Sequence, residues 1–119
     1  MNKVEIAGGL TRDAEYRTVG ASQTQLMEMT VAVNGTRFDS EQRQQVVDTV
    51  YVAVQVWGYV AQRLTDEHGT LHKGDEVYVV GRLSQQEVEK RDGTKDRKTR
   101  VTAMVVSVTR KRHTDEPPF

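Results

Sequence analysis

Hydrophobic and polar residues alternate with a period of two in several short runs, and this pattern lays out the chain. In "KVEIAG", Val4 and Ile6 share one face and Lys3 and Glu5 the other, which predicts a short half-buried strand. "LTRDAEYRTVGASQ" reads as a polar connection, and "LMEMTVAVNG" sets Met27, Met29, Val31 and Val33 on one face of a second strand. The charged stretch "FDSEQRQQVVD" lacks a period and reads as a long loop. "TVYVAVQVWG" is the clearest strand. Val50, Val52, Val54 and Val56 form a row expected to fill the core, with Tyr51, Ala53, Gln55 and Trp57 on the opposite face.

After Gly58 the period changes. "YVAQRLTDE" places Val60, Ala61 and Leu64 at helical spacing, and the glycines and charges of "HGTLHKGDE" end that helix. "EVYVVGRLSQQEVE" predicts a fourth strand with Gly81 as a bend or bulge. Asp92-Gly93 in "RDGTK" signals a hairpin turn, and "TRVTAMVVSV" returns as a fifth strand. Three strands, one short helix and a two-stranded hairpin predict an all-β chain of OB-fold type, a five-stranded Greek-key barrel. The barrel is expected over residues 1–109, followed by a short flexible C-terminal tail over 110–119. Other small barrels fit the pattern alone.

Composition narrows the class. With 119 residues, 36% hydrophobic and 29% charged, the chain suits one globular domain with its own core. No apolar run is long enough to cross a bilayer, and "MNKVEIAGG" lacks the apolar centre of a signal peptide. Zero cysteines exclude disulfides and thiolate metal sites, and together these features predict a cytoplasmic location. The net charge of +0 is unevenly spread: residues 1–113 hold all 17 bases and 15 of the 17 acids. Residues 90–100, "KRDGTKDRKTR", hold six bases against two acids. Lys90, Arg91, Lys95, Arg97, Lys98 and Arg100 there suit a polyanion, and equally suit a solvated turn.

Little in the sequence points to catalysis. His68 and His72 are four residues apart, but Gly69 lies between them and no cysteine or second pair completes a metal site. There is no phosphate-cradling loop and no nucleophile elbow, and Asp66 and Glu67 sit in a stretch that reads as exposed. The expectation is a non-enzyme without cofactor or metal. The aromatic face of the valine strand carries more information. Tyr51 and Trp57 can stack on bases at about 1–3 kcal/mol per base, or cover a second sheet, a helix or a subunit interface. Phe38, at the mouth of the charged loop, is a weaker candidate of the same kind.

Several motifs together resemble the bacterial single-stranded DNA-binding protein family. "NKVEIAGGLTRDAEYR" is similar to its opening, "MTVAVN" to its second strand, and "VQVWGYVAQRL" to its third strand and helix. "HKGDEVYVVGRL" is similar to the turn and fourth strand, and the final "DEPPF" to the family's acidic tip ending in proline-phenylalanine. The resemblance implies an OB-fold homotetramer that binds single-stranded DNA without sequence preference and without catalysis, in replication, recombination or repair. It places Tyr51 and Trp57 at base-stacking positions, Phe38 within one position of a third, and Lys73 and Arg97 at basic positions. A related reading is an adaptor like the restart-primosome members of the fold, with DNA contact secondary.

The chain departs from the family pattern in places. After "GRL", Ser84, Gln86 and Glu87 stand where bases are common, and Val88 stands at an aromatic position. This implies weaker DNA binding, or a strand path leaning on residues 90–100. Gly9 and Ala14 replace the usual Asn and Pro, and Glu5 lies among normally apolar neighbours, as at a subunit edge. In the tail, Pro117 and Pro118 keep the backbone extended, and Phe119 offers a ring beside its α-carboxylate. With Asp115 and Glu116, it reads as a docking peptide for replication or repair proteins. Eleven residues from Thr109 span at most about 40 Å, so the tip acts close to the barrel.

Overall fold

The computed structural model describes residues 1–112. The expectations for Asp115, Glu116, Pro117, Pro118 and Phe119 lie outside the described residues. Six strands and one helix follow in the order β1 (Val4–Leu10), β2 (Glu15–Val19), β3 (Thr24–Asp39), β4 (Gln44–Trp57), α1 (Gly58–His68), β5 (Glu76–Glu89) and β6 (Lys95–Arg110). One sheet runs β1-β5-β6-β4-β3-β2, and an additional β1–β3 pairing joins five of the strands into a closed circuit. This circuit, with the helix between the third and fourth of those strands, is the OB-fold arrangement.

Two hairpins build most of it. β3 and β4 pair from Leu26 opposite Trp57 to Asp39 opposite Gln44. β5 and β6 pair from Glu76 opposite Arg110 to Glu89 opposite Lys95, with register slips at Glu76/Val77 and Val80/Gly81. The second slip falls at Gly81, as the sequence predicts; a Cβ there would run into the Thr102 carbonyl. The circuit closes at two short seams. One is a parallel contact of Val54 and Gln55 on β4 with Val101 and Thr102 on β6. The other pairs Gly9 and Leu10 with Ala32 and Val31. Gly8 permits that second closure, since a Cβ on it would collide with the Ala32 carbonyl.

The core forms where the inward rows meet: Met27, Met29, Val31, Val54, Val56 and Val101 are buried, with Ala61 and Leu64 of α1 packed in beside them. The helix ends at Gly69, whose φ of 68° suits glycine, and its N–H donates to the Thr65 carbonyl at 2.8 Å.

Three expectations need correction. The valine row does not fill the core from end to end: Val54 and Val56 are buried, Val52 is half-buried, and Val50 is 59% exposed. β4 outruns the body, so its first half has no layer to cover it. The stretch expected as a long loop is the end of the β3–β4 hairpin. There Arg37 pairs with Asp48 at 2.7 Å, the Thr49 hydroxyl donates to Asn34 at 2.7 Å, and Asp39 Oδ1 accepts the Glu41 N–H at 2.9 Å to shape the turn. Within the polar connection lies β2, a sixth strand that among the described residues pairs only with β3. β2 itself and the outer part of the β3–β4 hairpin are largely exposed, so neither shows hydrophobic alternation.

Candidate nucleic-acid interface

Strand pairing decides which aromatic side chains share a surface. Tyr51 and Trp57 are six residues apart on β4, so both point away from the buried valines. Phe38 lies opposite Gln45, which is six residues before Tyr51 and has the same parity. Phe38, Tyr51 and Trp57 therefore form a row on one side of the β3–β4 ladder, with steps of about 20 Å along the strand. Their exposures of 63%, 69% and 36% leave ring surface open to a partner. Val47, opposite Thr36 on the same side, is exposed between the first two.

Between Tyr51 and Trp57 the surface dips into a groove of about 380 Å³. Its lining includes Ala53 and Gln55 from β4, Thr30 and Glu28 from β3, Arg12 from the turn after β1, and Lys98 and Arg100 from β6. The turn that carries Arg12 is fixed on both flanks. Thr11 N–H donates to the Thr30 carbonyl at 3.0 Å, and Ala14 N–H donates to the Leu71 carbonyl at 3.0 Å. Asp13 Oδ1 accepts the Lys73 N–H at 2.8 Å. That backbone bond is the main reason the Asp13 carboxyl lies below the usual range, with nearby His72 adding to it against the opposing effect of burial. Glu28, the one acid among the described residues that line the groove, is matched by Arg17 at 3.0 Å.

The structure separates the basic residues picked from sequence. Lys98 and Arg100 reach the groove. Lys90 sits 4.0 Å from Asp96, and Lys95 sits 3.8 Å from Glu87, so part of their charge is matched within the hairpin. Arg91 is exposed beside the turn, where Asp92 Oδ1 accepts the Thr94 N–H at 3.0 Å and Gly93 has a φ of 85°. Arg97 is exposed opposite Glu87, and Lys73 is exposed on the turn before β5, outside the groove lining. The two histidines face different acids: His72 Nδ1 is 3.6 Å from Asp13, and His68 Nε2 is 3.7 Å from Glu67.

An exposed aromatic row flanking a groove with three bases can hold a flexible polyanion that carries flat rings. A sequence profile described as the Single-strand binding protein family matches residues 1–109. The chain belongs to this family. It is 35% identical over 104 residues to the single-stranded DNA-binding protein of Deinococcus radiodurans, covering 87% of this chain and 32% of that protein. A deletion mutant of the Thermus aquaticus single-stranded DNA binding protein superposes with a TM-score of 0.78 at 26% identity, covering 94% of this chain and 52% of that one. The Plasmodium falciparum SSB, solved in complex with ssDNA, shares the fold at a TM-score of 0.76 and 17% identity, over 90% of this chain and 91% of that one. The chain thus spans about a third of the Deinococcus relative and about half of the Thermus chain.

For this family member, the expected family and the OB-fold both stand. Among the groove residues that sequence reading passed over are Arg12 and Gln55. Arg12 is a lone base in a turn, and only the fold brings it beside Lys98 and Arg100. Gln55 was legible as a polar residue in the middle of a valine strand, but its burial beneath a groove was not.

Proposed function

We propose that this family member binds single-stranded DNA without sequence preference, with no catalytic step, and serves replication, recombination or repair in the cytoplasm at the nucleoid. The observation that carries this reading is the row of Phe38, Tyr51 and Trp57 flanking a groove rimmed by Arg12, Lys98 and Arg100. Stacking tolerates any base because every base has a π-face, and the basic rim neutralises phosphates. Lys73, Lys90, Arg91, Lys95 and Arg97 extend the basic path, with Lys90 and Lys95 partly matched by acids. Titration with poly(dT) followed by Trp57 fluorescence tests the reading. Quenching at low salt that weakens as salt rises is expected, and no quenching and no binding would overturn it.

Assembly as a homotetramer is part of the proposal. The outward face of β1, β5 and β6 exposes Ala7, Tyr78, Met104 and Val105, with half-buried Val80 among them. Among the described residues, β1 pairs on its second edge only at Gly9 and Leu10, leaving the edge of 4–8 open. Glu5 on this face stays ionised below the usual carboxyl range through Lys3 and the Tyr78 hydroxyl. Light scattering is expected to give four times the 13.5 kDa chain mass, and a monomer would remove this part. Asp115, Glu116, Pro117, Pro118 and Phe119 are proposed to recruit replication or repair proteins. Deleting Phe119 should abolish partner capture while leaving DNA affinity nearly intact.

A second reading, an adaptor with secondary DNA contact, is favoured by the Lys95–Glu87 and Lys90–Asp96 pairs, which reduce the charge the β5–β6 hairpin offers to phosphates. Weak, salt-insensitive poly(dT) binding would select it.

A further inference from the structure

Two polar side chains are buried among the described residues, Gln55 and Asp75, and they are used differently. Asp75 is engaged inside the fold: its carboxylate accepts the His72 N–H at 2.8 Å, Lys111 Nζ at 2.8 Å and the Arg112 N–H at 2.7 Å. Gln55, only 8% exposed, instead borders the groove between Tyr51 and Trp57. The strand neighbour on its own face, Ala53, is small, and that leaves the groove open. Lys98 and Arg100 approach from β6 and Arg12 from the turn after β1.

The geometry points to a single-nucleotide subsite between the two stacking platforms: one base seats over Ala53 against the Gln55 amide, and its flanking phosphates lie on Arg12, Lys98 and Arg100. This rests on the DNA-binding reading and adds a grip which that reading does not require. An amide both donates and accepts, so it can meet the edge of any base and keeps recognition tolerant of sequence. Among the described residues three bases surround this groove and its single acid is already matched by Arg17, which favours phosphate there. A strand crossing from Tyr51 to Trp57 passes over this opening, because Ala53 and Gln55 lie between them on the same face of β4.

The test compares three single variants with wild type in the full chain, using dT, dA and dC oligonucleotides across a salt series. Ala53→Met fills the groove with a neutral side chain at an exposed position, and should weaken binding about tenfold, the equivalent of 1.4 kcal/mol, with an unchanged salt slope. Gln55→Leu should do the same; circular dichroism checks that it folds, and Ala53→Met stands alone if it does not. Arg12→Ala should weaken all three oligonucleotides alike and reduce the salt slope by about 0.7. Wild-type affinity in Ala53→Met, or a wild-type slope in Arg12→Ala, would overturn the subsite. Failure of wild type itself to bind would instead overturn the DNA-binding reading.

Discussion

The β3–β4 hairpin runs out into solvent with Phe38, Val47 and Tyr51 along one side and the ion pair of Arg37 with Asp48 on the other. The β5–β6 hairpin leaves the same body, yet its outer half carries Lys90, Lys95, Arg97, Lys98 and Arg100, and no aromatic residue. Both are long antiparallel ribbons closed by tight turns, so backbone form does not distinguish them. On the proposed function their side chains divide the work of holding a nucleic acid: one ribbon offers flat rings, the other offers charge. The departures after "GRL" belong to this division, since Val88 and Glu87 leave the second ribbon without a ring and with an acid against Lys95.

The largest expected effect lies at the root of the charged ribbon. Asp75 is 0% exposed and ties the end of β6, through Lys111 and the Arg112 N–H, to the turn before β5. Asp75→Ala leaves Lys111 without its carboxylate and should cost about 3–5 kcal/mol in chemical denaturation. Burial by itself would raise this carboxyl's pKa, but the His72 N–H, Lys111 and the Arg112 N–H outweigh it and hold it below the ordinary value of 3.8. The folded state is therefore favoured by the ionised form. That stability is fully present above the unfolded pKa and is lost as pH falls from there through the lower folded value. Melting temperatures from pH 6 down to about pH 2 should converge for wild type and Asp75→Asn; parallel curves would show that the ionised carboxylate contributes nothing.

Next in size is the aromatic ribbon. Tyr51→Ala should lose about 1–3 kcal/mol of DNA affinity with an unchanged salt slope. The charged ribbon should behave in the opposite sense. Replacing Arg97 and Lys98 together by alanine should reduce the salt slope by up to about 1.4, two phosphate contacts, and weaken binding most at low salt. Should Tyr51→Ala change the slope, or the double variant leave it intact, the division between the ribbons breaks. The smallest effect is expected at Gly93, where a φ of 85° favours glycine. Gly93→Ala should cost about 1 kcal/mol in thermal unfolding and leave DNA affinity unchanged.

The parts of the fold covered on one side were legible in sequence. β5 spans the predicted run from Glu76 to Glu89, the helix carries Ala61 and Leu64 inward, and the Asp92-Gly93 turn stands where expected. Residues 36–39 and 44–48 were not, because a ribbon wet on both faces needs no apolar stripe and its register is held by pairs such as Arg37–Asp48 and Asn34–Thr49. For the candidate site, the aromatic positions on β4 were readable from parity alone. Arg12 was not, since its closeness to Lys98 and Arg100 depends on the closure of the circuit.

That closure also bears on how the chain reaches its folded form. Each hairpin joins residues near in sequence, whereas the parallel seam joins Val54 to Val101, 47 positions apart, through a short pairing. Drawing such distant segments together costs more chain entropy than zipping either ribbon, so the seam is expected to form after both ribbons on refolding. Val101→Ala should then speed unfolding and leave the refolding rate almost untouched in stopped-flow measurements. A slowed refolding rate would place the seam in the nucleus instead.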